Sequence, residues 1–133
     1  MQPFNLKIIT SEGVRFQGEA DSLIVRSVTG DVSIWAKHSD YVTALGIGRA
    51  IVTVNGVKRY AACNSGVLSV LKGEVTILSS TFEWQEDIDA KRAEETLASA
   101  KIILEDAAKN GHDVRLAKMK IQRALTRLDV KKM

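Results

Sequence analysis

Short apolar runs separated by glycine-containing turns fill the first 82 residues of the chain. Several runs alternate apolar and polar residues with a period of two, as between Phe4 and Thr10, and this pattern predicts β-strands. Asn55-Gly56 is the strongest turn signal, because a two-residue type I′ turn needs positive φ at both central positions. Turns at such close spacing predict a β-sandwich of about ten short strands, since one flat sheet could not cover its own apolar face.

After Phe82 the composition shifts to Ala, Glu, Lys and Leu, and the apolar period becomes 3.6 residues. This pattern predicts one helix over residues 87–109 and a second over residues 113–130, with a stop signal at Asn110-Gly111. Each helix carries one alanine-rich apolar seam, made of Ala93, Leu97, Ala100, Leu104 and Ala107 in the first and of Val114, Ala117, Ile121, Ala124 and Leu128 in the second. Two seams joined by a short link predict an antiparallel helical hairpin.

The two patterns divide the chain into an all-β module, residues 1–86, and a helical hairpin, residues 87–133. Alanine-rich seams let the helix backbones approach closely but bury little apolar area, and burial stabilises by roughly 25 cal/mol per Å². A weakly held hairpin suits an element that alternates between two positions. The plainer interpretation, a helical appendage that only completes the fold, stays open at this point.

The chain of 133 residues is 45% hydrophobic and 26% charged, which fits one small globular unit. No apolar run approaches the roughly 18 residues of a membrane span, and the N-terminus lacks the layout of a secretory signal. One cysteine and two histidines exclude a disulfide framework and the spacing of a zinc site. The sequence therefore predicts a protein of a reducing compartment that neither crosses a membrane nor is exported.

Charge is unevenly distributed along the chain. Residues 1–86 carry eight Lys/Arg against eight Asp/Glu, residues 87–112 carry four against six, and residues 113–133 carry seven against two. The predicted second helix thus holds a net charge of +5 together with its flanking residues. An anionic partner is expected there, because one helix can present several positive charges together.

Residues that could carry catalysis lack the arrangement that a reaction needs. His38-Ser39-Asp40 are adjacent in the chain and do not face one another, so a polar loop is the better interpretation. No glycine-rich phosphate loop is present, and Cys63, without a close basic neighbour in sequence, is predicted to be a small core residue. A small phosphohydrolase would need a metal cluster or an activated nucleophile, and the sequence supplies neither.

Three arginines near the open end of the predicted hairpin form a candidate anion site. Arg123 and Arg127 are four residues apart on the second helix, and Arg92 lies near the start of the first. Guanidinium groups gathered in this way can bind a polyphosphate through bidentate, charge-assisted hydrogen bonds. A solvated basic face is the alternative interpretation of the same residues.

The chain resembles the epsilon subunit family of bacterial F-type ATP synthases over essentially its full length. The landmarks are the Leu-x-Ile-Ile-Thr-x-Glu-Gly start at residues 6–13, the turn and strand at 30–34, and the paired segments 65–70 and 75–78. The most specific landmark is Asp87-Ile-Asp-Ala-Lys-Arg-Ala93, which is similar to the Ile/Leu-Asp-x-x-Arg-Ala motif of members that bind ATP. The segment 33–41 departs from the family pattern, because it lacks one glycine and both prolines.

The resemblance implies site residues of three kinds. ATP, as a regulatory ligand in a protein without a required cofactor, would be bound by Glu83, Ile88, Asp89, Arg92, Ala93, Arg123 and Arg127. Contacts with the gamma subunit and the c-ring fall on Asp31 and His38, and inhibitory contacts fall on Arg115, Lys118 and Lys120. ATP-binding relatives have one more arginine on the first helix, and Ser99 stands at that position here.

The function implied is that of a non-catalytic rotor subunit, peripheral to the cytoplasmic face of the bacterial cell membrane and not inserted in it. The β-sandwich would dock on gamma and the c-ring and help couple ion flow to rotation. The hairpin would block ATP hydrolysis when extended into the alpha/beta catalytic head, and ATP would favour its compact form. The rival function is a nucleic-acid-binding accessory module that uses the basic helix, but that helix has no aromatic residue to stack on bases, so no nucleic-acid partner is expected.

Overall fold

The computed structural model describes residues 2–133 and contains seven β-strands, a short 3-10 turn and two α-helices. The strands are β1 (Phe4–Thr10), β2 (Gly13–Ala20), β3 (Ser22–Ser27), β4 (Gly30–Ile34), β5 (Tyr41–Val54), β6 (Val57–Leu71) and β7 (Glu74–Trp84). The turn at Gln85–Asp87 leads into α1 (Ala90–Lys109) and α2 (Arg115–Lys131). A β module followed by a helical hairpin is therefore confirmed, with Met1 outside the described residues.

The seven strands share one hydrogen-bonded sheet in the order β2-β1-β7-β6-β5-β3-β4. All neighbours are antiparallel except β1 and β7, which run parallel. Strand β2 touches β5 although three strands separate them in the hydrogen-bond order. The sheet therefore folds over on itself, and its two halves form the layers of the predicted sandwich.

The predicted number of about ten short strands is wrong, because three of the seven strands are long. Strands β5, β6 and β7 have 14, 15 and 11 residues, and the predicted short runs are parts of them. Strand β6 bends at Ser65 and Gly66, where φ is +44° and +139°. A Cβ atom on Gly66 would lie 1.9 Å from the Leu78 carbonyl oxygen, so only glycine fits there. The register with β5 and β7 continues unchanged across these two residues, so they do not end the strand.

Buried apolar side chains from all seven strands form one core between the layers. They are Phe4, Leu6, Ile8, Ala20, Leu23, Val25, Ile34, Leu45, Ala50, Val52, Ala61, Cys63, Leu68, Val70, Val75, Ile77, Phe82 and Trp84. Burial raises the pKa of the Cys63 thiol, whose Sγ lies 3.4 Å from Ser79 Oγ. The prediction that this cysteine is a core residue is confirmed.

Local chemistry sets the ends of the helices close to their predicted positions. Asp89 caps α1 by accepting a hydrogen bond from the Arg92 backbone N–H at 3.1 Å, and Gly111 follows α1 with φ of +68°. Ahead of α2, Asp113 Oδ1 accepts from the Arg115 backbone N–H at 3.0 Å. Four of the five seam alanines are buried, namely Ala93, Ala100, Ala117 and Ala124, and Ala107 is half-buried.

Helix α2 also has a second buried face, which lies on the sheet. Val130 packs with Ile88 and Ala62, and half-buried Tyr60 borders them; these four residues are called the docking cluster. The Gln85 side-chain amide donates to the Val130 carbonyl at 3.0 Å and to the last carbonyl of the chain at 2.5 Å. Among the described residues, α2 packs against strands β5 and β6, whereas α1 has at most a few contacts with the strands.

The sandwich core contains no residue beyond Trp84, which generates a prediction about a truncated chain. A chain ending at Glu86 should keep a cooperative β-type unfolding transition, because its loss is confined to the small docking cluster. Circular dichroism during urea unfolding measures the outcome. A disordered or non-cooperative chain would show that the boundary between residues 86 and 87 is misplaced.

Candidate functional site

A cavity of about 330 Å³ lies between α2 and the sheet and is called the α2 cavity. Its apolar surface comes from Ile47, Ala62, Cys63 and Ala124, and its volume is within the range of small-molecule sites. The charged groups are Glu83 against Lys120, Arg123 and Arg127, which gives a net charge of +2. The remaining lining residues are Asn64, Thr81, Thr96 and Thr126. An apolar surface beside excess positive charge fits a ligand with a flat ring and an anionic group.

Three buried polar atoms of the described residues lack a hydrogen-bond partner, and all three belong to residues of the α2 cavity. They are Asn64 Oδ1, Arg123 Nε and Arg127 Nε. A buried polar group left unpaired costs about 1–3 kcal/mol, so such groups are rare unless water or a ligand satisfies them. Because Arg127 Nε lies against the Glu83 carboxylate, the groups that the cavity offers freely to an occupant are Arg123 Nε and the Asn64 side-chain amide.

The Arg127 guanidinium forms a half-buried ion pair with Glu83. Arg127 Nε lies 2.9 Å from Glu83 Oε1, without hydrogen-bond geometry, while Arg127 Nη2 donates to Glu83 Oε2 at 3.2 Å. Only 21% of the arginine side chain and 32% of the glutamate side chain are exposed, so solvent screens this pair less than a surface pair. The ion pair joins α2 to β7 at the edge of the α2 cavity.

Two further cavities adjoin the α2 cavity and share Thr96 with it. One, of about 450 Å³, is lined by Arg15, Arg92 and Arg127 together with three carboxylates, and its charges balance. The other, of about 300 Å³, lies between the helices and contains Arg92, Ser99 and Lys120. Lys120 thus reaches both the α2 cavity and the cavity that contains Ser99.

The residues implied as ATP ligands fall into two groups. Glu83, Arg92, Arg123 and Arg127 line the α2 cavity or the adjoining cavity that contains Arg15. The other three have structural contacts: Ile88 belongs to the docking cluster, Asp89 caps α1, and Ala93 is fully buried in the helix seam. The structure brings Glu83 and the three arginines together and leaves Asp89 and the two apolar members outside these cavities.

The two residues implied in partner contacts lie apart from the α2 cavity. Asp31 is placed between two arginines, 3.7 Å from Arg26 and 3.8 Å from Arg49. His38 Nδ1 lies 2.7 Å from the Ser39 carbonyl oxygen, and the centroid of its ring lies 5.9 Å from that of the Tyr41 ring. The loop that follows His38 is fixed by Asp40, whose Oδ1 accepts a hydrogen bond from the Lys72 backbone N–H at 2.8 Å. These contacts agree with a polar loop rather than a catalytic triad.

The three residues implied in inhibition are all exposed on α2. Arg115 is already paired with Asp113 at 2.7 Å, and this hydrogen-bonded contact lowers the pKa of the Asp113 carboxyl. Lys118 has no ion pair among the described residues, whereas Lys120 lines the α2 cavity. The positive charge of this group that no described carboxylate pairs therefore rests on Lys118 and Lys120.

Sequence reasoning did not identify Asn64, Thr96 or Lys120 as cavity residues. Asn64 lies within strand β6, and the Ser65-Gly66 pair that follows it is the one feature of the sequence that could have drawn attention to it. Thr96 and Lys120 come together only when the helices pack against each other and against the sheet. No group of metal-ligating side chains is found among residues 2–133, and no helix in that range is long and apolar enough to cross a membrane.

Comparison with known proteins covers both parts of the chain. The family model for the ATP synthase delta/epsilon chain β-sandwich domain matches residues 3–85, and the model for the long α-helix domain of that chain matches residues 86–132. The ATP synthase epsilon chain of Clostridium novyi is 35% identical over 128 residues, or 96% of each chain. That of Ruminococcus albus is 33% identical over 131 residues, or 98% of this chain and 97% of its own.

Solved structures share the fold at lower identity. A chain in the Euglena gracilis mitochondrial ATP synthase, OSCP/F1/c-ring, has a TM-score of 0.80 and 17% identity, covering 93% of this chain and 78% of that one. A chain in the central stalk/c-ring of the Tetrahymena thermophila enzyme has a TM-score of 0.59 and 15% identity, covering 90% and 97%. The two family models together match nearly every residue of the chain, which therefore belongs to the delta/epsilon chain family of ATP synthases.

Proposed function

We propose that this chain is the regulatory epsilon subunit in the central stalk of a bacterial F-type ATP synthase. Its similarity to bacterial epsilon chains over almost the whole length of both proteins supports this role. Chains of the same fold occur in assemblies described as F1/c-ring and central stalk/c-ring. The subunit is non-catalytic and lies peripherally at the membrane, held there by the rotor rather than by an insertion of its own.

The β-sandwich is the part that docks on the gamma subunit. An apolar row crosses five neighbouring strands on the outside of the sheet, through the register pairs that join Ala44, Val67, Leu78, Ile9 and Val14. The exposed fractions of Val67, Leu78 and Val14 are 40%, 52% and 54%. A contiguous apolar row on a sheet surface favours burial against a partner. Asp31 and His38 supply polar contacts to gamma and the c-ring.

The hairpin carries a regulatory ATP site in the α2 cavity. The observation that supports this most directly is the convergence of Lys120, Arg123 and Arg127 on one cavity of net charge +2, in which the buried Arg123 Nε has no protein partner. Arginine side chains bind phosphate through strong charge-assisted hydrogen bonds. Lys120 stands in the cavity that also contains Ser99, and it supplies a positive charge near the position where ATP-binding relatives have an arginine.

The hairpin inhibits ATP hydrolysis when it leaves the sheet. Its docked position depends on the docking cluster of four residues, the Arg127–Glu83 ion pair and the Gln85 hydrogen bonds, whereas the sandwich core contains 18 buried residues. The helices are thus held much less firmly than the strands, as a two-state element requires. ATP bound in the α2 cavity stabilises the docked position by its difference in affinity for the two states.

The isolated chain should bind ATP more tightly than ADP, because the additional phosphate adds charge-assisted contacts. Arg123→Ala should weaken ATP binding by about 1.5–3 kcal/mol, the contribution of a hydrogen bond to a charged group. Isothermal titration calorimetry measures both effects, and Lys101→Ala, on the exposed surface of α1, is the matched control. No binding heat at millimolar ATP would contradict the regulatory site.

Removal of residues 87–133 should leave an ATP synthase that assembles and couples ion flow but hydrolyses ATP faster than the intact enzyme.

Charge reversal by Arg115→Glu with Lys118→Glu should also raise the rate of ATP hydrolysis. The increase should be larger at low salt, where the attraction between the basic helix and its acidic partner is less screened. Lys120 stays unchanged because it lines the α2 cavity, and Lys101→Glu on α1 is the control. Equal hydrolysis rates with and without the hairpin, at low and at saturating ATP, would exclude an inhibitory role.

A further inference from the structure

Five residues, from Gln85 to Asp89, connect the last strand of the sandwich to the first helix of the hairpin. Trp84, which precedes them, belongs to the sandwich core, and α1 begins directly after them at Ala90. If the hairpin leaves the sheet as a unit, the backbone of these five residues must take up the change in direction, as hinge residues do. They are called the hinge segment, and whatever holds this segment also holds the hairpin.

The last turn of α2 is bonded to the first residue of the hinge segment. The Gln85 side-chain amide donates hydrogen bonds to the Val130 carbonyl at 3.0 Å and to the Met133 carbonyl at 2.5 Å. In return, Lys131 Nζ donates to the Gln85 carbonyl oxygen at 3.0 Å. The last carbonyls of a helix have no partner within the helix, so these bonds do not compete with those of α2 itself. The end of the hairpin is thus fastened to the point where the hairpin begins, 45 residues earlier in the chain.

The same turn of α2 also covers the hinge segment with apolar surface. Ile88, within the hinge segment, is only 3% exposed, and it packs with Val130, which is fully buried. Any turn of the hinge segment that carried α2 away would expose both side chains to water, at a cost proportional to the apolar area uncovered. Helix α1 has at most a few contacts with the strands, so α1 does not supply this hold.

This hold on the hinge segment is separate from the α2 cavity. Gln85, Val130 and Lys131 are not among the residues that line the cavity, whereas Arg127, which pairs with Glu83 across the same interface, does line it. A ligand in the cavity would act on Arg127 and would have no contact with Gln85. The two links between α2 and the sandwich can therefore be distinguished by substitution, because only one of them responds to an occupant.

We propose that Gln85 and the last turn of α2 form a clasp on the hinge segment, and that this clasp sets the resting position of the hairpin when no ligand is bound. The inference rests on the proposed two-position hairpin and identifies the contact that keeps the ligand-free chain docked. Because Gln85 lies on the sandwich side of the hinge segment, all three hydrogen bonds must break before α2 can move away. A closed clasp therefore favours the docked, non-inhibitory position in the absence of nucleotide.

The test is amide hydrogen exchange, followed by mass spectrometry, on the full chain without nucleotide. Gln85→Leu keeps the approximate size of the side chain but removes both of its hydrogen bonds to α2. Exchange in residues 120–127, the part of α2 that lines the α2 cavity, should become about tenfold faster, because the docked position loses two hydrogen bonds. Exchange in β1, a strand of the sandwich, should stay unchanged. Gln17→Leu, at an exposed position of β2, is the matched control.

A second pair of variants tests the bond in the other direction. Lys131→Met removes the hydrogen bond to the Gln85 carbonyl oxygen and should raise exchange in residues 120–127 about threefold. Lys132→Met, at the neighbouring exposed position outside the clasp, is its control and should leave exchange unchanged. If Gln85→Leu fails to fold, as judged by circular dichroism, this pair decides the question.

The outcomes separate this inference from the proposal beneath it. Unchanged exchange in residues 120–127, or faster exchange confined to residues 128–131, overturns the clasp, because Gln85 would then only cap the end of the helix. In the assembled ATP synthase, Gln85→Leu should lower the rate of ATP hydrolysis at low ATP, which is the opposite of removing residues 87–133. Faster exchange without this decrease would support the clasp and overturn the inhibitory role of the hairpin that it restrains.

Discussion

The ion pair between Arg127 and Glu83 connects the position of the hairpin with the charge of the cavity beside it. It joins α2 to β7, with Arg127 Nε 2.9 Å from Glu83 Oε1 and both side chains mostly out of solvent. The same arginine lines both the α2 cavity and the adjoining cavity that contains Arg15. If α2 moved away, both cavities would lose Arg127 and the Glu83 carboxylate would lose its partner. Helix docking and the candidate anion site therefore depend on one contact, and a phosphate beside Arg127 would act directly on the attachment of the helix.

The contrast between the two packed regions makes such coupling effective. The sandwich core draws side chains from all seven strands, whereas the hairpin rests on the docking cluster and a few polar contacts from Gln85, Glu83 and Lys131. Arg59 stabilises the end of the β module instead, with its guanidinium carbon 3.7 Å from the centre of the Trp84 ring and a largely exposed pair with Glu86. A ligand that contributes a few kcal/mol can shift a small interface of this kind, while the core that holds the apolar docking row remains unchanged.

The bend in β6 serves both regions. Before Ser65 and Gly66 the strand contributes Cys63 to the core and Asn64 to the α2 cavity, and after them it contributes Leu68 to the core. Side chains on one side of the bend, such as Val67, join the outer apolar row, and Asn64 on the other side enters the α2 cavity. Gly66, a position where only glycine fits, thus lies between the proposed docking surface and the candidate ligand site.

Local chemistry in the sequence determined the turns, the helices and their seams. Asn55 and Gly56 adopt φ of +51° and +77° because a two-residue turn demands it, and the buried alanines follow from a 3.6-residue period. The tertiary structure alone decided that the short runs join into long bent strands and that β1 runs parallel to β7. It also decided that Ile88 packs beneath α2 while Asn64 and Lys120 line the cavity. These features depend on contacts between residues far apart in the chain, and no local pattern of polarity specifies such contacts.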